Sequence, residues 1–183
     1  MTLKTHFNTG LGLSLFLGGM TIPKIDAMDI TDASKLGILA AIIIGITAGS
    51  VYPDIDLKES NLNAKDVDLR WENNFDHRGI VHTLINVIGV SLPFLLVAWV
   101  LKRVTNFDTT WIAVLGLSMS VGCVKHMLED SFTPKGVLWL YPFTMRRFRI
   151  PIIKNYTTER IFRILVTGAL LYRAIYYWSI NLN

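Results

Sequence analysis

Asp76-His77-Arg78-Gly79-Ile80-Val81-His82-Thr83 stands where a long polar loop gives way to an apolar run that starts at Ile80. The run extends over residues 80–101 and is broken near its start by His82, with Pro93 as an expected kink. Crossing a bilayer takes about 20 apolar residues, so this run reads as a transmembrane helix rather than a strand or a soluble core helix. At its mouth lie two imidazoles with the Asp76 carboxylate beside the first, a set suited to binding a transition metal or moving protons.

Working outward, the rest of the chain has the same texture. Apolar residues make up 51 % of the sequence, charged residues only 17 %, and the mean hydropathy is +0.41. A soluble domain carries about 25 % charged residues. Four further apolar segments cover residues 10–22, 36–52, 111–128 and 161–180. The first is short and is expected to stop at Pro23; the other three are long enough to span. Residues 10–22, with Lys4 before them and Ala27 after, loosely resemble a signal peptide. Pro23, Lys24 and Asp26 intervene before any small-x-small site, which favours a short or partly re-entrant helix that stays in the protein. The expected fold is all-α: one domain over residues 1–183, a polytopic membrane bundle of about four to five transmembrane helices. There are no internal repeats or low-complexity stretches, and the loop over residues 56–72 reads as polar and irregular.

With five crossings, one side of the membrane holds Lys4 and the loops over residues 53–79 and 129–160. Those regions include Lys58, Lys65, Arg70, Arg78, Lys135, Arg146, Arg147, Arg149, Lys154 and Arg160, against Lys24, Lys35, Lys102 and Arg103 opposite. The excess of Lys and Arg puts that side in the cytoplasm. The net charge of +4 is modest and sits in loops, so it is read as orientation and lipid contact, with no nucleic-acid partner expected. A lone Cys123 excludes an intrachain disulfide and a zinc-thiolate framework.

The polar residues at the segment ends share this side. His6 precedes the first segment, Asp54 and Asp56 follow the second, His77 and His82 open the third, and His126 and Asp130 close the fourth. Helix direction alternates, so random placement would divide them between both faces. His126 and Asp130, four apart, lie one above the other on a helical face. Asp54 and Asp56, two apart after Pro53, point the same way if the chain is extended, and His82 is expected about one turn into its helix. Four imidazoles and three carboxylates match the mixed nitrogen and oxygen ligands of zinc, manganese or iron, in one-ion or two-ion centres. Each residue also has a plain reading when taken alone: a terminal-loop histidine, a solvated helix stop, interfacial histidines. Glu129 reads as an ordinary loop charge, the aromatic cluster around Tyr176 as an interfacial belt, and Arg146-Arg147-Phe148-Arg149 as a membrane anchor.

Five blocks carry a resemblance. They are Thr5-His6-Phe7-Asn8-Thr9-Gly10, residues 49–56, residues 77–84, residues 126–137, and Leu140-Tyr141-Pro142-Phe143. In this order they resemble the YdjM-like, LexA-regulated family of bacterial inner-membrane metal-dependent hydrolases. The likeness covers residues 5–143; the helix over 161–180 carries no motif, and the loop between Asp56 and Asp76 is longer than a compact member needs. It implies a membrane-bound hydrolase with one or two divalent ions, zinc first, manganese or iron as alternatives, and it names no substrate. The His126-x-x-x-Asp130 spacing is also loosely similar to that of helical zinc phosphodiesterases such as bacterial phospholipase C. The expected roles are metal ligation by His6, Asp54, Asp56, His77, His82, His126 and Asp130. Proton transfer is assigned to Asp56 or Asp76, and oxyanion or phosphate binding to Arg78, with Lys125 and Lys135 as further cations. The expected partners are membrane lipids, including a lipid or phosphoester substrate. A metal transporter or sensor, and a protein whose metal only staples helix ends, are the competing readings.

Overall fold

The computed structural model describes residues 1–54 and 80–181. Within them the chain forms α1 (Leu3–Asp26), α2 (Asp32–Gly49), α3 (Leu84–Val104), α4 (Thr110–Ser131) and α5 (Tyr156–Asn181), with short 3₁₀ turns at Tyr52–Asp54 and Ile80–His82. Among the described residues there is no strand, only one isolated antiparallel bridge between Val137 and Phe148. The loop that carries Asp56, Asp76, His77 and Arg78 lies outside the described residues.

Helix starts follow capping chemistry. Thr31 accepts from Ser34 N at the head of α2, with Asp32 in the first turn. Thr83 accepts from Asn86 N at the head of α3, whose last turn carries Lys102 and Arg103. Among the described residues, three helices are long and apolar enough to cross a bilayer: α2 with its following turn (mean hydropathy 1.9), α3 (2.3) and α4 (1.5). On α3 the outer face is apolar, with Ile88 and Leu96 each 61 % exposed, the inside-out pattern that lipid permits. The polytopic all-helical expectation therefore holds. Helices α1 and α5 are long but more polar, and they pair with each other: Trp178 Nε1 donates to Leu15 O and Asn181 Nδ2 to Gly19 O.

Three local expectations are corrected. First, α1 does not stop at Pro23 but runs through it to Asp26, and it starts at Leu3, well before the apolar run. Its first turns carry Thr5, His6, Thr9 and Ser14, all buried against neighbouring helices, so a search for apolar residues misses them. Second, His82 is not inside α3; it sits in the turn before the cap Thr83. Third, Asp54 is not in extended chain, because Asp54 N donates to Val51 O and closes a 3₁₀ turn.

The tightest packing is between α2 and α4. A Cβ added at Gly49 would fall 2.1 Å from Met119 O, and one at Gly122 would fall 2.3 Å from Ile46 O and 2.7 Å from Ser50 N. Only glycine lets the two backbones touch there, the small-residue contact expected between helices in lipid. This contact brings the ends of α2 and α4 to one level. On the other flank, Ser120 Oγ donates to Val87 O and Thr109 Oγ1 to Ala98 O, which ties α3 to α4.

A candidate metal centre at four helix ends

The ends of α1, α2 and α4 and the turn before α3 meet at a buried cluster of His6, Asp54, His82, His126 and Asp130, none more than 3 % exposed. His82 Nε2 lies 3.2 Å from His126 Nε2, 4.0 Å from Asp54 Oδ1 and 3.8 Å from Asp130 Oδ2. His126 Nε2 is 3.5 Å from Asp54 Oδ1 and 3.8 Å from Asp130 Oδ2. His6 Nε2 is 3.4 Å from Asp130 Oδ1 and 3.8 Å from Asp54 Oδ2, and its ring stacks on His126 with centroids 3.7 Å apart. Asp130 Oδ1 also accepts from the Met1 amino group.

These spacings fit a small cation. Ligand bonds of about 2.0–2.2 Å place neighbouring ligand atoms of a tetrahedral ion roughly 3.3–3.6 Å apart. Two sets of three have ligand atoms within 4.8 Å of one another, His6 with His126 and Asp130, and Asp54 with His82 and His126, so His126 belongs to both. Two carboxylates held together out of water also require positive charge nearby. His6 Nε2 is buried and has no hydrogen-bond partner among the described residues, as a nitrogen facing a cation would be.

Two of the imidazoles are turned to present lone pairs inward. Ser50 O can only accept, and it lies 2.9 Å from His126 Nδ1, so that nitrogen carries the proton and Nε2 is left bare. Glu129 Oε2 lies 2.8 Å from His6 Nδ1 and does the same for His6. Lys125 Nζ donates to the same Glu129 oxygen at 2.8 Å and to His6 O at 2.8 Å, so the end of α1 is clamped to α4.

Of the expected site residues, the structure thus brings together His6, Asp54, His82, His126 and Asp130. Lys125, expected at the substrate, is placed in the supporting layer. Lys135 is exposed in the turn after α4. Asp56, Asp76, His77 and Arg78 lie outside the described residues. Glu129, read as an ordinary loop charge, is a buried helical residue that orients His6; the signal was its position four after Lys125 on the same face. Glu159 was also missed. It accepts from Thr2 N, Thr2 Oγ1 and Thr5 Oγ1, each at 2.7 Å, and so moors the start of α1 next to His6.

Because Glu129 acts through His6, a Glu129→Gln variant should retain the fold but bind metal about 10- to 100-fold more weakly. Titration with zinc against a competing chelator checks this, and affinity equal to the parent protein would remove Glu129 from the supporting layer.

The family model described as "YdjM inner membrane protein" matches residues 1–182 of the chain. The inner membrane proteins YdjM of Escherichia coli (strain K12) and Shigella flexneri are each 31 % identical over 135 residues, which cover 71 % of this chain. The match spans 60 % of the length of those curated relatives. No solved structure matches the chain.

Proposed function

Because the chain belongs to the family of YdjM inner membrane proteins, we propose that it is a membrane-embedded, metal-dependent hydrolase acting on a phosphoester or lipid-linked substrate at the cytoplasmic face. The observation that carries this reading is the convergence of three imidazole Nε2 atoms and two carboxylates, with the protons of two rings held outward by Ser50 O and Glu129. His6, Asp54, His82, His126 and Asp130 would hold a divalent ion, zinc first and manganese or iron as alternatives. When bound, such an ion would supply Lewis acidity, lowering the pKa of water toward about 7 and polarising a phosphoryl oxygen. Asp56 or Asp76 is assigned the proton released when water adds to the substrate, and Arg78 the developing charge on the phosphate.

Midplane ligands in broken helices would mark a transporter, and here the ligands gather at helix ends instead. A purely structural metal has one observation in its favour, the near-complete burial of all five side chains.

The deciding experiment compares the detergent-purified protein with and without chelator, on a generic phosphodiester and on phospholipid vesicles. Hydrolysis should disappear on chelation and return with added zinc while the helical circular dichroism stays unchanged. Chelation that unfolds the protein, with neither substrate turned over beforehand, would leave the metal as a staple and end the hydrolase reading.

A further inference from the structure

Beside the metal centre, the connection from α4 to α5 forms an open pocket of about 510 Å³ lined by Trp139, Leu140, Thr144, Arg146, Arg147 and Phe148. That volume falls within the roughly 300–1,000 Å³ of small-ligand sites. Among the described residues its walls are apolar, its cations are two guanidiniums, and no acid lines it. Residues 131–158 contain five basic side chains, Lys135, Arg146, Arg147, Arg149 and Lys154, and not one Asp or Glu. The same connection exposes large apolar side chains, Phe143 at 86 % and Met145 at 72 %. A loop facing water would not interleave such side chains with arginines. A loop lying in the headgroup layer would.

The cavity is fastened to the metal ligands. Trp139 O accepts from Leu84 N at 3.0 Å, two residues after His82. Trp139 Nε1 donates to Ser131 Oγ at 2.9 Å, next to Asp130. Opposite, Phe148 is pinned by reciprocal backbone bonds with Val137, and Ile150 N donates to Ser131 O. The wall of the cavity and the ends of α3 and α4 therefore form one unit.

We infer that this cavity is the lipid subsite of the centre: an anionic phospholipid rests its phosphate on Arg146 and an acyl segment between Trp139, Leu140 and Phe148. This rests on the hydrolase reading and supplies its substrate class, a lipid phosphoester presented from the bilayer. Charge complementarity selects the anionic headgroup, because each Lys or Arg near an anionic surface contributes several-fold in affinity.

The test uses the full chain in a neutral detergent, titrated calorimetrically with short-chain phosphatidylglycerol, phosphatidylcholine of the same chain length, and inorganic phosphate. Phosphatidylglycerol should bind about tenfold more tightly than phosphatidylcholine, and inorganic phosphate should not compete. Arg146→Gln should reduce that preference about fivefold. Leu140→Trp, which fills the cavity and leaves the charges, should weaken both lipids. Metal content should match the parent protein in both variants, and this separates the two readings. Metal retained without any preference between the lipids overturns the subsite alone, whereas a lipid preference in a protein that binds no metal overturns the catalytic centre. Competition by inorganic phosphate at equal affinity would mean a free-anion site and likewise overturn the lipid assignment.

Discussion

In a His126→Ala variant, bound metal should fall by roughly 100-fold or more, because loss of a supporting residue alone costs about 10- to 100-fold and His126 is a direct ligand in the reading above. It is the side chain shared by both three-ligand sets. Its Nε2 approaches His82, Asp54 and Asp130 within 3.8 Å, and its ring supports the face of His6. Removing it also leaves Ser50 O without the Nδ1 donor, a loss of about 1–3 kcal/mol for a buried group. The fold should nevertheless survive, since the helix contacts that set the bundle lie elsewhere along α4. The measurement is metal per chain after dialysis against a chelator of known affinity, alongside monodispersity in detergent. Full occupancy in a monodisperse variant would mean that the five side chains meet for some reason other than metal. Hydrolysis, where the parent shows it, should fall in parallel.

The residues that make this centre were readable because a membrane protein concentrates its information at helix ends. Apolar runs at 36–52, 80–101 and 111–128 become α2, α3 and α4, and alternation of direction then assigns Asp54, His82, His126 and Asp130 to one level. Hydropathy fails where polarity is buried rather than solvated. That is why α1 reads as a fragment ending at Pro23, although its polar first turns are packed inside. Glu129 was misread for the same reason: a carboxylate next to a ligand looks identical in sequence whether it faces water or His6 Nδ1. Glu159 left no trace at all, because its partners Thr2 and Thr5 lie more than 150 positions away and only the pairing of α1 with α5 joins them. The helix without a motif thus proves to position the helix that carries His6.

The contact between α2 and α4 makes the second large effect expected, and it involves no ligand. Gly45 and Gly49, four apart, form the small-residue pattern that marks close helix approach in lipid. Gly45 packs against Ser118 and Leu115, and Gly49 against Met119 and Gly122; at Gly122 a Cβ would meet Ile46 O at 2.3 Å, Ser50 N at 2.7 Å and Gly49 C at 2.8 Å. All three are backbone atoms, so no rotamer change relieves the overlap, and the helices must separate. Gly122→Leu should therefore destabilise by about 3 kcal/mol or more, the upper range of overpacking. Gly89 is the control: it lies on α3 with nothing within 4 Å of an added Cβ, and Gly89→Leu should stay within about 0.5 kcal/mol of the parent. The metal centre should report the same difference. Gly122 stands one turn before His126, and the residue it abuts, Ser50, is the one whose carbonyl sets the His126 tautomer. Moving α2 away from α4 takes Ser50 O from Nδ1 and Asp54 from Nε2 together. Gly122→Leu should thus lose about tenfold or more in zinc affinity with every ligand intact, while Gly89→Leu loses none. Equal melting temperatures and equal zinc affinities for the two variants would show that the backbone contact does not set the geometry of the centre.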